Sequence, residues 1–280
     1  MRELQVSEIT PAVKKLCMEA NYMLGEDVYR SLKSAIDIEE SELGKSILND
    51  IVKNAEIARD EQVPICQDTG FSVFFVRMGQ DLRLVGGDFN DAFNEGVRQG
   101  YAEGYLRKSI VSDPLERKNT GDNTPCIINL EIVPGDKLEI QCAPKGGGSE
   151  NMSEVRMLKP SDGVEGLKDF VVERVEKSGG NPCPPVIVGV GVGGTFDKCA
   201  QLAKKALLRE VRSTHPSSYY AELEKELLQL VNKTGVGPQG LGGRVTALAV
   251  HIEAHPCHIA SFPVAVNMQC HAARHKSIVL

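Results

Sequence analysis

Several absences narrow the reading of this sequence before any motif does. No apolar run approaches bilayer length, since the longest, Val186 to Val192, is far too short to span a membrane. No apolar core precedes a cleavage site in the stretch from Met1 to Pro11, so no secretory signal is read there. Lysine and arginine are scattered and the formal net charge is −6, which gives no reason to expect nucleic acid. Internal repeats, low-complexity tracts and obvious linkers are also missing. These absences predict a cytoplasmic globular protein with neither a membrane nor a nucleic-acid partner. With 280 residues, 41 % hydrophobic and 25 % charged, there is ample chain to bury a core in one large domain or two small ones.

What the sequence does hold is cysteine, eight of them. A disulfide framework belongs to small secreted domains. Free cysteines more often behave as small buried hydrophobes, so the question is which of the eight sit in chemically unusual surroundings.

The first 60 residues read as helices, with apolar residues at helical spacing over Val6–Leu24 and again over Ser41–Asp60. Pro64 ends that section and Phe71–Met78 reads as a strand. Asp88 is placed to cap a helix running to about Ser109. Strand candidates Cys126–Val133 and Lys137–Cys142 are joined by the turn signal Pro134-Gly135. Ala143–Asp162 reads as a long glycine-rich loop, of the kind that is usually functional. A helix over Gly163–Lys177, a strand over Val186–Val192 and helices over Thr195–Arg212 and Tyr219–Lys233 follow. A second glycine-rich loop spans Gly235–Gly243, before strands at Val245–Ile252 and Ala260–Val266. The order predicts a mixed α/β, α+β-like fold without regular alternation, read as a single domain over 1–280. Within it a helical N-terminal section (1–62) precedes an α/β body (63–280).

Four segments carry chemistry. Gly189 to Thr195 follows a strand and opens a helix, as a dinucleotide-binding turn would. That fingerprint also wants a second strand ending in Asp or Glu about 20 residues on, and here helices follow instead. Lys145-Gly-Gly-Gly-Ser149-Glu150-Asn151 can form a concave nest of N–H groups for an anion, with Lys145, Ser149 and Asn151 as added donors; a plain flexible loop fits equally well. Cys66-Gln67-Asp68-Thr69 packs thiol, amide, carboxylate and hydroxyl into one turn. Five of the six histidines crowd the last 30 residues with Cys257 and Cys270, which invites a zinc reading, yet His255-Pro-Cys257-His258 matches no common zinc spacing.

Taken together these segments resemble the N-terminal catalytic half of class I fumarate hydratases and the alpha subunits of tartrate/fumarate-type hydro-lyases. The matching pieces are Pro64-Ile-Cys66-Gln-Asp-Thr-Gly70, Asn119 to Pro125, Ala143 to Asn151, Cys183-Pro-Pro185 leading into Gly193-Gly194-Thr195, and His258 to Cys270, in family order over nearly the whole chain. The resemblance implies a 4Fe–4S cluster held by three cysteines, Cys66, Cys183 and Cys270, with one iron open to substrate. It implies substrate contacts from Gln67, Asp68, Arg107, Lys145, Gly148 and Asn151, and catalytic roles for Asp68, Gln67 and His258; beside His258, Cys257 and Ile259 replace the family's more usual arginine and glycine. Single-chain members carry a further domain with more substrate-binding residues, and this sequence stops ten residues after Cys270. A separate beta subunit is therefore expected, as a heterodimer or α2β2 assembly. The expected reaction is reversible dehydration of a small hydroxy-dicarboxylate, malate to fumarate first and L-tartrate as the alternative. A zinc- or cluster-stabilised scaffold without catalysis, and a nucleotide-dependent oxidoreductase, are the rival readings.

Overall fold

A computed structural model describes all 280 residues. In chain order it contains β1 (Arg2–Gln5), α1 (Ile9–Tyr22), α2 (Glu26–Ile38), α3 (Glu42–Glu61), β2 (Phe71–Gly79), β3 (Leu82–Val85), α4 (Phe89–Glu103), β4 (Ile127–Val133) and β5 (Leu138–Lys145). Then follow α5 (Gly147–Glu150), β6 (Glu154–Leu158), α6 (Gly163–Ser178), β7 (Val186–Gly193), α7 (Phe196–Ala206), α8 (Ser218–Lys233), β8 (Ala247–His255), β9 (Phe262–Gln269) and β10 (Lys276–Val279). The fold is mixed α/β, as the sequence predicts. No helix is long and apolar enough to cross a membrane.

The chain forms two compact units. The first comprises Met1–Gly25, Ala55–Gly147 and Arg274–Leu280. Its four-stranded sheet runs β10-β5-β2-β4, with β2 parallel to β4 and antiparallel to β5. Phe74, Val76, Leu138, Ile140 and Cys142 alternate onto one face and pack with α1 and α4 through Ile9, Val13, Leu16, Phe93 and Val97. This is the period-two burial of strands meeting the three-to-four spacing of helices. Asp88 caps α4 by accepting the N–H of Asp91, as its position predicts. Cys126–Val133 and Lys137–Cys142 are strands, but β2 lies between them, so the Pro134-Gly135 turn joins strands that do not pair. A Cβ on Gly79 would lie 2.3 Å from the Gly135 carbonyl oxygen, so β2 needs glycine where that turn crosses it.

The second unit comprises Glu26–Asn54 and Gly148–Ala273. Its sheet runs β6-β9-β7-β8, with β7 parallel to β8 and antiparallel to β9. The Val186–Val192 run is buried on both faces, which is why it reads as continuous rather than alternating. Gly189 and Gly191 bring α7 onto β7: a Cβ at either would lie 2.1 Å from the Ala203 oxygen or 1.9 Å from the Cys199 oxygen. That close packing accounts for the glycine pattern that resembles a nucleotide turn.

Ala143–Asp162 corrects the sequence reading. It is not one loop: β5 continues to Lys145 opposite Phe71, Gly147–Glu150 forms a single helical turn, and Glu154–Leu158 pairs along β9 as an edge strand. The glycines mask the short elements around them. The four-residue strands β1, β3 and β10 are too short to show alternation, and each is fixed by its partner strand instead.

Candidate active site

In the first unit, the turn before β2 is where the reactive groups gather. The Cys66 Sγ accepts the Asp68 N–H at 3.4 Å, and the Cys66 thiol donates to Gln67 Oε1 at 3.3 Å. Each Asp68 carboxylate oxygen accepts one backbone N–H: Oδ1 from Gly70 at 3.0 Å, Oδ2 from Gly147 at 2.8 Å. The glycine-rich segment after β5 thereby lies against Asp68. Gly70, at φ 79°, has no room for a side chain, since its Cβ would sit 2.7 Å from the Lys145 backbone. Lys145 itself is buried at the end of β5. Thr69 accepts the Arg107 N–H at 2.9 Å and donates to the Arg107 carbonyl at 3.1 Å, which anchors that backbone while the Arg107 side chain is exposed.

Other side chains clamp the same turn from below. Buried Tyr101 directs its hydroxyl at the carbonyls of Thr69 and Gly70, 3.0 Å from each. Burial, and secondarily the nearby Cys17 thiol, pushes the Tyr101 hydroxyl well above its usual range, so it stays a donor. Asn123 donates to the Gly70 carbonyl at 3.3 Å and accepts the Ser109 N–H at 2.8 Å. Arg274, 2 % exposed, donates from Nη2 to the Asp68 carbonyl, while its Nε and Nη1 have no hydrogen-bond partner. A buried guanidinium without a carboxylate is costly. Sequence reasoning missed Arg274, Tyr101 and Asn123. The signal for Asn123 was at hand, because it lies in the Asn119–Pro125 segment already singled out.

The second unit builds a corresponding corner before β7. The Cys183 carbonyl accepts the His271 backbone N–H at 3.2 Å and lies 3.0 Å from the His271 Nδ1, so the residues flanking Cys270 meet the Cys183 turn. Cys183 is exposed with φ 55°, and its N–H donates to Gly180. That turn rests on the 237–243 loop: Gln239 donates from its backbone N and its Nε2 to the Pro184 carbonyl at 2.8 and 2.9 Å. A Cβ on Gly240 would lie 2.4 Å from the Gly180 Cα. Gly148 faces the Asn181 carbonyl, with 3.3 Å to its would-be Cβ, so it too is at this corner. Glu150 is tied to Lys204 and accepts from Asn267 on β9, while Asn151 is exposed.

His258 is placed elsewhere. It precedes the first residue of β9 and Cys270 follows the last, and β9 is eight residues long. At ~3.3 Å per residue the strand spans about 23 Å. Within its own unit His258 therefore sits at the opposite end of the sheet from Cys183 and Cys270, together with Cys257, His255 and the Gly193-Gly194 turn. The His258 Nδ1 accepts the Ala260 N–H at 3.1 Å, which leaves the proton of the neutral ring on Nε2. The histidines crowded in sequence do not form one cluster: His255 and His258 share one end of the sheet and His271 lies at the other. His251 is buried against the Ala206 carbonyl and its pKa is lowered, by burial first and the Arg209 charge second. No three Cys, His, Asp or Glu side chains are placed to hold a single metal ion.

The thiols divide by environment. Burial raises the pKa of Cys142 and Cys199, and pushes Cys126 up to about 12, so these stay protonated and apolar. Cys17 is likewise a core residue. Cys66 and Cys270 are half-buried and Cys183 exposed, each on a loop at the end of its sheet.

Comparison with known proteins gives the family. The sequence model of the fumarate hydratase (fumerase) family matches residues 10–279. A Methanocaldococcus jannaschii protein named "Putative L(+)-tartrate dehydratase subunit alpha" is 45 % identical over 279 residues, covering 95 % of each chain. The L(+)-tartrate dehydratase subunit alpha of Escherichia coli O157:H7 is 35 % identical, over 100 % of this chain and 93 % of its own. That of E. coli strain UTI89 is 36 % identical over 98 % and 91 %. The chain belongs to the fumarate hydratase (fumerase) family of hydro-lyases.

Proposed function

We propose that this chain is the alpha subunit of an iron–sulfur hydro-lyase that dehydrates a hydroxy-dicarboxylate, L(+)-tartrate ahead of malate. The arrangement that carries the reading is the Cys66–Gly70 turn, which sets a thiol beside a carboxylate whose two oxygens are both fixed by backbone N–H groups. The substrate order favours the alternative over the first expectation: the relatives quoted above are named for tartrate, while the family description names fumarate, which keeps malate as the second reading.

The residues fit an iron–sulfur group. Cys66, Cys183 and Cys270 are accessible, uncrosslinked and set apart from the thiols that burial keeps protonated. The Cys66 sulfur accepts the Asp68 N–H, a contact of the kind that cluster sulfurs make. Ligands of a cluster bind separate irons, so they need not converge as ligands of one ion do. A 4Fe–4S cluster on these three cysteines would supply, at an iron without a protein ligand, a Lewis acid for the departing hydroxyl.

The chain's own residues do the rest. Dehydration breaks a C–O bond and the neighbouring C–H bond, and the electron pair left by the proton forms the double bond. Each fixed Asp68 oxygen keeps a lone pair, so Asp68 can accept the substrate hydroxyl and orient it, or take up a proton, without reorganising. Gln67 adds an amide on the same turn. The exposed Arg107 fork suits a carboxylate, and the Gly148 backbone with Lys145 and Asn151 supplies further donors to the charge that develops on it. His258 takes no step here, because β9 holds it away from Cys270. A separate beta subunit completes the site in this proposal, supported by the "subunit alpha" in the relatives' names.

The test is to reconstitute the chain anaerobically, alone and with its co-expressed partner, and to assay L(+)-tartrate and malate. The proposal expects turnover only in the pair, with the higher kcat/KM for L(+)-tartrate. Full activity of the chain alone would overturn the subunit assignment, and a preference for malate would reverse the substrate order.

A further inference from the structure

Arg274 carries a buried charge that no carboxylate of the protein neutralises. Its Nη2 donates to the Asp68 carbonyl, and its Nε and Nη1 are enclosed without a hydrogen-bond partner. The charge balance of the first unit sharpens the point. Its only fully buried charged side chains are Lys145 and Arg274, both cations. Both residues adjoin the Cys66–Gly70 turn, Lys145 through its backbone beside Gly70 and Arg274 through the Asp68 carbonyl. The one carboxylate of that turn, Asp68, is half-buried and can offset only one of them. In the second unit, by contrast, buried Glu224 is paired with Arg209. A surplus positive charge in a low-dielectric interior is costly by itself and favours a negative group close by. Asp68 connects that charge to the cysteine: its carbonyl accepts from Arg274, and its N–H meets the Cys66 sulfur at 3.4 Å.

Resting on the iron–sulfur assignment above, we propose that Arg274 is a positioning residue and the built-in counter-charge of the cluster, raising its reduction potential and slowing its loss. It acts through its charge and through the Asp68 backbone, not as a ligand. A 4Fe–4S core on three thiolates is net negative and becomes more so on reduction. A fixed cation therefore stabilises the bound cluster over the free chain, and the reduced form over the oxidised one. Enclosure of Nε and Nη1 keeps water from screening the guanidinium. Arginine also stays protonated at every working pH, so the counter-charge is permanent.

Arg274→Met, which removes the charge, and Arg274→Lys, which keeps it, test this in the reconstituted subunit pair. In a redox titration followed by electron paramagnetic resonance, Arg274→Met should be reduced at a more negative potential than the wild type. A chelator should strip its iron about ten-fold faster, and Arg274→Lys should stay close to the wild type in both measurements. In the cluster-free full chain, Arg274→Met should unfold at the same or a higher denaturant concentration, because an uncompensated charge has gone. A folded Arg274→Met that takes up no iron where Arg274→Lys does would also support the counter-charge. Wild-type potential and iron release in Arg274→Met, Arg274→Lys behaving like Arg274→Met, or a cluster-free Arg274→Met that unfolds more easily would each overturn it while leaving the iron–sulfur assignment standing. A wild-type pair that binds no iron would overturn that assignment and the counter-charge with it.

Discussion

The two units solve the same problem with different materials. In each, a cysteine turn precedes an inner strand (β2 or β7) that has one parallel and one antiparallel neighbour. In each, the antiparallel neighbour ends beside that turn, Lys145 opposite Phe71 and Gln269 opposite Ile187. The first unit then fixes its turn with buried polar side chains, Tyr101, Asn123, Thr69 and Arg274. The second leans more on backbone contacts, the N–H groups of His271 and Gln239 and the near contact of glycines 180 and 240, with the Gln239 Nε2 as an added side-chain donor. In the first unit the side chains hold the turn's carbonyls while two backbone N–H groups fix the Asp68 carboxylate, whereas in the second the contact of Gly240 with Gly180 leaves no room for a side chain. The Asp68 corner is thus suited to orienting substrate and the Cys183–Cys270 corner to holding something rigid.

That contrast can be broken by substitution. The largest effect is expected from Cys66→Ser, Cys183→Ser and Cys270→Ser, each of which should abolish the cluster as read by iron and labile-sulfide content, while Cys142→Ser and Cys199→Ser retain it. Asp68→Ala should keep the cluster and lower kcat by about 10³-fold, within the usual range for a proton-transfer group. If kcat is unaffected and only KM rises, Asp68 merely binds. In the second unit Gly240→Ala combines a φ of 74° with a backbone clash, and should cost ~3 kcal/mol in denaturant unfolding. An unchanged midpoint would show that the 237–243 loop does not clamp Cys183. Arg274→Lys keeps the charge but loses the fork; about a ten-fold drop in kcat, through a loosened Asp68, is expected with cluster content intact. The smallest effect concerns the 237–243 loop's own foundation, Glu39. Burial raises its pKa, but the N–H groups of Ser41, Arg244, Val245 and Glu40 together hold it below the usual carboxylate range. Its stabilising contribution is therefore full above that range and lost as the pH falls through the depressed value. Glu39→Gln should lower neutral stability and flatten the acid limb of the stability curve.

Much of this was readable beforehand because it is local. The Asp88 cap, the strong period of α1 and α3, and the Cys66–Gly70 and Lys145–Asn151 motifs are written in consecutive residues. What escaped depends on distant partners. Arg274 reaches Asp68 across 206 residues, and nothing in its neighbours marks it. β6 exists because β9 offers an edge, and the glycines before it imitate a loop. His258 and Cys270 look adjacent in sequence, yet extended backbone places them at opposite ends of one strand. Conversely, the glycines of β7 suggested a ligand and serve helix packing instead.

The central claim, that Cys66, Cys183 and Cys270 together hold one cluster with an iron left for substrate, is most directly tested by Mössbauer spectroscopy of the reconstituted subunit pair with and without L(+)-tartrate. The account predicts a four-iron spectrum in which a single iron changes when substrate is added. A spectrum in which no iron responds, or a preparation that binds zinc and no iron, would contradict it.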